Sequence, residues 1–204
     1  MDKFPSEIHG YKPVCLCGGG AYGQVWLVVD ALGLRRALKI VPKSSLGGEW
    51  NREFRGLQAY QNRVKPHPNL IQIFHVEECG SFFYYTMEAA DNLAEEPRYL
   101  PGTLENWVKT WGALGSDTIV PVFEQLLDGV EALHDAGLIH RDIKPENILS
   151  VSGRPKLGDI GLVSTASRTL SLAGTQAYLP PELLTGEEKE LRPEVDFYAL
   201  GKTL

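Results

Sequence analysis

The chain has 204 residues, a hydrophobic fraction of 43% and a formal net charge of −6 at pH 7. This composition can form the apolar core of one large domain or two small lobes, and the absence of a long basic run argues against nucleic acid as the main partner. We expect no membrane segment within residues 1–204, because no apolar run is long enough to span a bilayer and no secretory signal opens the sequence.

The three cysteines are predicted to be reduced, structural residues of an intracellular protein. Cys15 and Cys17 are expected to point to opposite faces of a strand, so that a disulfide between them is unfavourable. No second cluster of Cys and His completes a metal site with this pair.

The first part of the chain is predicted to be rich in strands. Residues 11–42 alternate apolar, strand-like runs with turns. Residues 49–64 space side chains at helical intervals, at Trp50, Phe54, Leu57 and Tyr60, with Gln61 as the alternative to Tyr60. Residues 67–89 then indicate two further strands with a turn near Gly80.

A helix-rich second part follows a polar, proline-containing segment, residues 91–102, which indicates a linker. Residues 103–111 and 118–137 have helical periodicity, and the second of these has the long apolar stripe of a core helix. A run of strands followed by a run of helices predicts an α+β fold with a seam near residues 88–92.

Gly18, Gly20 and Gly23 form a G-x-G-x-x-G pattern that is followed by Val25. Glycines let a hairpin backbone approach phosphate oxygens closely and present N–H groups to them. A dinucleotide-binding fold would need a helix next, whereas residues 25–29 indicate another strand. The alternative is a glycine-rich turn that binds nothing.

Lys39 lies in an apolar strand between Leu38 and Ile40. A lysine inside such a strand needs an anionic partner. Glu53 on the following helix is one candidate, and phosphate groups are another. The alternative is a lysine on a solvated face of the strand.

The segment HRDIKPEN is predicted to be a polar loop, because its proline interrupts regular structure. Asp142 is suited to accept a proton from a hydroxyl, and Lys144 to neutralise charge on a group in transfer. Asn147 and, in the later segment KLGDIG, Asp159 offer oxygen ligands suited to Mg²⁺. Two oxygen ligands, a cationic lysine and a phosphate-binding loop together indicate phosphoryl transfer.

These motifs follow the order of the eukaryotic-type protein kinase catalytic domain, and the sequence resembles that family along its whole length. GGGAYGQV resembles the glycine-rich loop, ALKIV the strand with the nucleotide-binding lysine, and HRDIKPEN the catalytic loop. DIG stands where the family has DFG, and GTQAYLPPE resembles the end of the activation segment. The resemblance implies a bilobal fold, with an antiparallel sheet and one helix in the N-lobe and a mainly helical C-lobe.

The resemblance also implies roles for individual residues. Asp142 would be the catalytic base, assisted by Lys144, and Asn147 and Asp159 would bind the metal ion. Asp196 would hold the catalytic loop in place. The residues implied to bind the nucleotide are Gly18, Gly20, Gly23, Val25, Ala37, Lys39, Glu53, Met87, Glu88, Ala90 and Leu149.

Two groups within the nucleotide set have more specific implied roles. Lys39 would pair with Glu53, with Glu49 as the alternative partner. The residues implied to surround adenine are Val25, Ala37 and Leu149 as an apolar sandwich, the backbones of Glu88 and Ala90, and Met87 as the gatekeeper.

The catalytic loop and the segment after it resemble those of kinases specific for serine and threonine. In the family, a lysine two residues after the catalytic aspartate, here Lys144, marks this specificity. Thr175 supports the same specificity, because it resembles the family's threonine that contacts Asp142 and Lys144. Arg141 is of the type that a phosphate on the activation segment, here residues 159–182, neutralises. We expect regulation by phosphorylation at Thr169 or Ser171, and the alternative is an ordinary polar loop.

Ile160 stands where the family has phenylalanine. It is expected to pack in an apolar column with Leu57, Ile73 and His140. His140 is therefore expected to be a packing residue and not a base.

The kinase domain is expected to occupy residues 1–204, with the N-lobe at 11–88, the hinge at 89–92 and a partial C-lobe at 93–204. The sequence ends within the helix that carries Asp196, whereas the family's domain continues for several more helices. We expect the 204-residue chain alone to be unstable or poorly active, and the parent protein to be an active kinase.

The implied function is that of a non-specific serine/threonine protein kinase that transfers the γ-phosphate of ATP to protein hydroxyls with Mg²⁺ or Mn²⁺. One alternative is a pseudokinase that serves as a nucleotide-binding scaffold, but every catalytic group is retained. Another is a small-molecule phosphotransferase of related fold, but such enzymes generally lack a GT-x-x-Y-x-P-P-E segment. The segments resemble those of bacterial kinases, which implies a cytoplasmic location, either alone or as the cytoplasmic domain of a longer membrane-anchored protein.

Overall fold

The computed structural model describes residues 3–20, 23–44, 50–164, 176–185 and 192–203. The chain forms two compact units, of which unit 1 comprises Met1–Asn51 and Gln72–Pro101, and unit 2 comprises Arg52–Ile71 and Gly102–Leu204. Strands dominate unit 1 and helices dominate unit 2, which confirms the α+β fold class predicted from the sequence.

Unit 1 is built on a five-stranded antiparallel sheet with the strand order β1-β2-β3-β5-β4. The strands are β1 (Lys12–Gly20), β2 (Gly23–Val29), β3 (Arg35–Pro42), β4 (Ile73–Glu78) and β5 (Phe82–Glu88). Because β5 pairs with both β3 and β4, the strand that leads to the predicted hinge lies inside the sheet and not at its edge.

One face of this sheet packs into an apolar core, because residues two apart on a strand share a face. The buried residues of this core are Ile8, Trp26, Val28, Leu38, Ile40, Phe82 and Tyr84. The ring of Phe4 meets Trp26 edge-on at 5.4 Å between centroids, so the segment before β1 is part of the fold. The residues that alternate with the core on β2 and β3, namely Val25, Ala37 and Lys39, lie on the opposite face.

Among its described residues, unit 2 combines helices with a two-stranded sheet. Their bounds are α2 (Leu104–Trp111), α3 (Ser116–Asp135), α4 (Pro181–Thr185), α5 (Glu194–Thr203), β6 (Ile148–Val151) and β7 (Arg154–Leu157). Helix α1 (Trp50–Arg63) begins at the end of unit 1 and has most of its length in unit 2. Nowhere in the described parts of the chain is a helix both long enough and apolar enough to cross a bilayer.

The core helix predicted from the sequence is α3. Its buried stripe consists of Leu126, Val130 and Leu133 together with Gly129. A side chain at Gly129 would place its Cβ 3.0 Å from the carbonyl oxygen of Asn69, so the glycine permits a close approach of the two backbones. The helix ends at Asp135, and Gly137, two residues later, has a φ of +71° that turns the chain toward the predicted catalytic loop.

Two expectations about unit 1 are wrong. The predicted linker at residues 91–102 contains an ordered loop, closed by an antiparallel bridge between Asn92 and Pro101. Cys15 and Cys17 do not point apart, since the thiol of Cys17 lies beside that of Cys15 and its Sγ is 3.9 Å from the Cys15 carbonyl oxygen. Residues two apart on a strand share a face, which is why the pair comes together. The prediction that the cysteines form no disulfide is confirmed.

Candidate active site

The predicted catalytic loop is held by the carboxylate of Asp196 on α5. Its Oδ2 accepts a hydrogen bond from the His140 N–H at 2.8 Å, and its Oδ1 accepts one from the Arg141 N–H at 2.8 Å. On α3, Nε2 of His134 lies 2.9 Å from the same Oδ2. Asp196 is 0% exposed, and a carboxylate buried to this degree is stable only with such donors around it.

The backbone bonds to Asp196 also stabilise an unusual conformation of the loop. Arg141 has a φ of +75°, in the left-handed region that residues with a side chain rarely adopt. Both amides that flank this kink donate to Asp196. The role of Asp196 implied by the family resemblance is therefore confirmed.

The side chain of Asp142 is fixed by two neighbours from its own loop. Its Oδ2 lies 2.9 Å from Nζ of Lys144 and accepts a hydrogen bond from Nδ2 of Asn147 at 2.9 Å. Nδ2 of Asn147 also donates to the Asp142 carbonyl oxygen at 2.7 Å. A short 3₁₀ turn at Pro145–Asn147 brings Asn147 back toward Asp142. Three residues predicted to act in phosphoryl transfer therefore meet at one carboxylate.

His140 uses both ring nitrogens to hold the loop. Its Nε2 lies 2.9 Å from the Gly158 carbonyl oxygen, which only accepts, so Nε2 carries the hydrogen. Its Nδ1 then accepts from the Asp142 N–H at 3.4 Å. The ring is fully buried and both nitrogens are engaged, as expected for a packing residue.

Asn147 and Asp159 lie at the same end of the β6–β7 sheet. The Gly158 N–H, one residue before Asp159, donates to the Asn147 carbonyl oxygen at 2.8 Å. Asp159 has a φ of +46°, which turns the chain out of the β7 direction at this point. The strand pairing of Ile148 with Leu157 sets this register, so the two predicted metal ligands are neighbours.

The donor set at this end of the sheet fits a hard cation such as Mg²⁺. Since Nδ2 of Asn147 donates to Asp142, its amide oxygen Oδ1 is the atom left to act as a ligand. Mg²⁺ is commonly bound through one or two carboxylates, and water and substrate phosphates complete its shell. Over the described residues no group of three or more His, Cys, Asp or Glu could hold a metal ion. One amide and one carboxylate therefore suit a metal that arrives with a phosphate ligand.

Helix α1 packs closely against the segment that follows Asp159. A Cβ on Gly56 would lie 2.7 Å from the Val163 carbonyl oxygen, and a Cβ on Gly161 would lie 2.5 Å from Oε1 of Glu53. These two glycines let the helix backbone and the Glu53 carboxylate lie directly on residues 160–163. Glu53 is only 7% exposed, so its position is set by this packing.

In unit 1, the predicted nucleotide-binding residues lie around the face of the sheet opposite the core. Lys39 is 6% exposed, so the alternative that it lies on a solvated strand face is wrong. Its Nζ lies 5.9 Å from the centroid of the Tyr85 ring, and its backbone is paired with Val25 on β2. Ala37 pairs with Met87, which is buried near the end of β5.

The glycine-rich pattern spans the β1–β2 connection, with Gly18 and Gly20 on β1 and Gly23 at the start of β2. Gly23 has a φ of +113°, and a Cβ at that position would lie 2.0 Å from the Ile40 carbonyl oxygen. Only glycine therefore fits at the third position of the pattern.

The remaining predicted contacts to adenine fall in both units. Glu88 is fixed by Gln72, since its N–H donates to the Gln72 carbonyl at 3.2 Å and its Oε2 accepts from the Gln72 N–H at 2.9 Å. The Ala90 carbonyl accepts a hydrogen bond from the Tyr99 hydroxyl at 2.7 Å. Leu149 is on β6 in unit 2, where it bridges to Thr103.

Several predicted residues lie outside the described parts of the chain. These are Glu49, Thr169, Ser171 and Thr175. Of the predicted activation segment the structure describes residues 159–164 and 176–182, and within them Oγ of Ser164 accepts from Nη1 of Arg141 at 3.2 Å.

Sequence reasoning missed three residues that shape the site. His134 contacts Asp196 across 62 positions of the chain, and no local pattern reveals such a contact. Gly56 is conspicuous only once the close packing of α1 is known. Tyr99 lies in the segment predicted to be a linker. An aromatic residue in this polar segment was a sign that the segment packs against the fold.

The fold and these contacts define a protein kinase, and comparison with known proteins agrees. A family model for the protein kinase domain matches residues 11–204, nearly the whole chain. The chain therefore belongs to the protein kinase domain family.

Similar curated proteins come from both eukaryotes and bacteria and are named serine/threonine-protein kinases. The chain is 33% identical over 203 residues to the probable serine/threonine-protein kinase fhkE of Dictyostelium discoideum, covering 93% of this chain and 27% of that protein. It is 29% identical over 202 residues to the serine/threonine-protein kinase PrkC of Bacillus subtilis, covering 95% of this chain and 29% of that protein. For RAD53 of Saccharomyces cerevisiae the identity is 28% over 184 residues, covering 87% and 21%. The chain thus spans less than a third of the length of these relatives.

Proposed function

We propose that this kinase domain, within its parent protein, catalyses the transfer of the γ-phosphate of ATP to serine and threonine hydroxyls of proteins, as a non-specific serine/threonine protein kinase. The observation that carries the proposal is the arrangement at Asp142, whose Oδ2 is held by Nζ of Lys144 and Nδ2 of Asn147 at 2.9 Å each. A carboxylate held in this way beside a cation is suited to receive a hydroxyl proton while charge moves to a phosphoryl group.

Each group of the loop has a distinct chemical task in this proposal. Asp142 orients the attacking hydroxyl and accepts its proton. Lys144 keeps a positive charge beside the point where phosphoryl oxygens would lie. Asp196 and His140 keep both groups in place, since they hold the backbone from which Asp142 projects.

Asn147 and Asp159 would hold the divalent cation, which is Mg²⁺ or Mn²⁺. Such a cation neutralises charge on the ATP phosphates when it is bound. Because Nδ2 of Asn147 is bonded to Asp142, the metal ligand and the base are positioned by one side chain. Any movement of Asn147 therefore affects both functions.

The nucleotide-binding residues predicted from the sequence keep their assignments in the proposal. They are Gly18, Gly20, Gly23, Val25, Ala37, Lys39, Glu53, Met87, Glu88, Ala90 and Leu149. The proposed lobes are residues 11–88 and 93–204, with the hinge at 89–92. The burial of Lys39 and Glu53, at 6% and 7% exposed, supports functional rather than surface roles for both.

Regulation by phosphorylation within residues 159–182 is also part of the proposal. Arg141 is buried, and both its burial and the neighbouring guanidinium of Arg52 lower its pKa. Two nearby guanidinium groups favour an anion beside them, and a phosphorylated side chain supplies one. Mass spectrometry of the active protein should then find phosphate at Thr169 or Ser171.

We place the protein in the cytoplasm, alone or as the cytoplasmic domain of a longer membrane-anchored chain. The three cysteines form no disulfide, and thiols stay reduced in the cytoplasm. Protein substrates and ATP are its proposed partners.

Phosphoryl transfer to a generic basic protein, measured with radiolabelled ATP, tests the catalytic proposal. Asp142→Asn removes the base and should lower the turnover rate by about 10²- to 10⁴-fold. Asp135→Asn, which makes the same change at an exposed position of α3, serves as the matched control and should leave transfer unchanged. Binding of Mg-ATP to Asp142→Asn should persist, because Asn147 and Asp159 are retained.

The same experiment separates the enzyme from a nucleotide-binding scaffold. Equal labelling by the parent chain and by Asp142→Asn would show that the activity does not come from this site. Labelling that is lost in Asp142→Asn would exclude the alternative of a catalytically inactive, nucleotide-binding scaffold.

A further inference from the structure

The loop at residues 91–101 (the 91–101 loop) is an ordered element between β5 and α2. Its two ends pair through an antiparallel bridge between Asn92 and Pro101, and the Leu93 N–H donates to the Leu100 carbonyl at 2.9 Å. The side chain of Asn92 forms hydrogen bonds with three backbone groups of the same loop. Its Oδ1 accepts from the N–H groups of Ala94 and Leu100 at 3.1 and 2.9 Å, and its Nδ2 donates to the Arg98 carbonyl at 2.8 Å.

This network places Tyr99 against the backbone that follows β5. The Tyr99 hydroxyl donates to the Ala90 carbonyl oxygen at 2.7 Å, the usual distance for a well-formed O–H···O hydrogen bond. The phenol is half-buried and has the β1 thiols of Cys15 and Cys17 among its charge neighbours. Burial is the main cause of the raised pKa of Tyr99, and the two thiols add to it. The hydroxyl therefore keeps its proton and remains a donor at any ordinary pH.

The bond to Ala90 changes what the backbone offers to a purine base. Adenine presents a donor, its 6-amino group, beside an acceptor, N1. The carbonyl of Glu88 and the N–H of Ala90, the groups assigned to adenine above, match that order. Guanine presents an acceptor, O6, beside a donor, N1–H. The N–H and carbonyl of Ala90 alone would match the guanine edge, provided that the carbonyl is available.

We propose that Tyr99 is a specificity-determining residue that favours adenine over guanine nucleotides, because its hydroxyl takes a lone pair of the Ala90 carbonyl that guanine would need. The inference rests on the proposed function, since it assumes that the backbone at Glu88 and Ala90 meets the purine. Adenine does not use the Ala90 carbonyl and is unaffected. A carbonyl oxygen can accept two hydrogen bonds, so Tyr99 weakens guanine binding without abolishing it.

Binding of Mg-ADP and Mg-GDP to the full chain, measured by calorimetry, tests this inference without requiring catalysis. Tyr99→Phe keeps the ring and removes the hydroxyl. It should tighten GDP binding by about fivefold, the worth of one neutral hydrogen bond, and leave ADP binding within about twofold. Tyr84→Phe is the matched control, since the Tyr84 hydroxyl bonds Glu77 in the same unit and does not approach Ala90. It should leave both affinities unchanged.

A second variant tests whether the 91–101 loop delivers the hydroxyl. Asn92→Ala removes three hydrogen bonds inside the loop and should shift the ADP-to-GDP preference in the same direction as Tyr99→Phe. An unchanged preference in Tyr99→Phe, with ADP bound normally, would overturn the inference and leave the proposed function intact. If the unsubstituted chain bound neither ADP nor GDP, both this inference and the proposed function would be overturned.

Discussion

Asp196 is a charged residue at a fully buried position, and its surroundings explain why it is tolerated there. Two backbone amides of the catalytic loop donate to its two oxygens at 2.8 Å, and His134 lies 2.9 Å from one of them. Charge-assisted bonds of this kind are stronger than bonds between neutral groups. They offset both the desolvation of the carboxylate and the positive φ of Arg141.

Replacing Asp196 with asparagine should therefore damage stability and catalysis together. The amide would place an NH₂ group against a donor of His140 or Arg141 and leave a buried N–H unsatisfied. We expect the free energy of unfolding to fall by about 3 kcal/mol and phosphoryl transfer to be largely lost. Chemical denaturation and turnover measurements check this, with Asp135→Asn as the control. A variant as stable as the parent would contradict the assigned bonds.

Gly161 is a second residue whose identity affects the proposed active site, because its missing side chain leaves room for the carboxylate of Glu53. A methyl group there would lie 2.5 Å from Oε1 and 2.6 Å from Cδ of Glu53, so the carboxylate must move. We expect Gly161→Ala to lower turnover by about 10²-fold, the effect of a displacement near 1 Å in a catalytic group. The measurement is turnover together with the free energy of unfolding, which should change less because a side chain can shift.

Gly80→Ala is the matched control for Gly161→Ala. No atom lies within 4 Å of the position that its Cβ would occupy, so turnover should be unaffected. Normal turnover in Gly161→Ala would show that the position of Glu53 does not matter for catalysis.

At the scale of elements, helix α1 shows where sequence periodicity succeeds and where it stops. The pattern placed a helix at residues 49–64, and the helix found is Trp50–Arg63. Its buried face, however, consists of Glu53, Gly56, Leu57 and Tyr60. Hydrophobic periodicity detects Leu57 and Tyr60, but it gives no weight to a carboxylate or to a glycine. Glu53 and Gly56, the residues of α1 that contact the segment after Asp159, are therefore the ones that hydrophobic periodicity could not predict.

The 91–101 loop shows the same limit for a connection. Its polar, proline-containing composition suggested a linker, and composition is all that a periodicity reading uses. Much of the order comes from Asn92, whose side-chain amide bonds three backbone groups within the loop. The catalytic loop was predictable because its chemistry is local to eight residues, whereas its support by Asp196 and His134 comes from distant elements.

The turn between β2 and β3 depends on the charge of Asp30. Its carboxylate accepts from the N–H groups of Leu34 and Leu32, both at 2.9 Å, and from Nε of Arg36 at 3.1 Å. The bond from Leu34 is the largest cause of the lowered pKa of Asp30. A lowered folded pKa means that the carboxylate stabilises the fold above its unfolded pKa of about 3.9. That stability is lost as the pH falls through the lower, folded pKa.

Asp30→Asn tests the charge while keeping an oxygen that can accept the two backbone bonds. The parent should be more stable than the variant near pH 7, and the difference should shrink as the pH falls below about 4. Denaturation at a series of pH values measures this. A difference that stays constant down to pH 2 would mean that the charge of Asp30 has no part in the turn.

At the scale of the whole molecule, the residues assigned to the nucleotide come from both compact units. Lys39 and Ala90 belong to unit 1, whereas Leu149 and the proposed metal ligands Asn147 and Asp159 belong to unit 2. In the proposed mechanism, binding and catalysis are also divided, because Asp142 would act on the protein hydroxyl and Asp159 on the metal. Stability in the presence of nucleotide can therefore separate the two functions without an activity measurement.

Mg-ADP should stabilise the full chain against unfolding by mass action, since the unfolded chain has no site for it. At a concentration 100 times its dissociation constant the gain should be about 2.7 kcal/mol. Asp159→Asn should lose most of the gain that depends on Mg²⁺, because an amide replaces the only carboxylate among the proposed ligands. Asp142→Asn should keep it, because its contribution is to the hydroxyl. Denaturation with ADP in the presence of Mg²⁺ or of EDTA provides the comparison. If Asp159→Asn were stabilised as much as the parent, the metal would have to be bound elsewhere, and the pairing of Asn147 with Asp159 would be wrong.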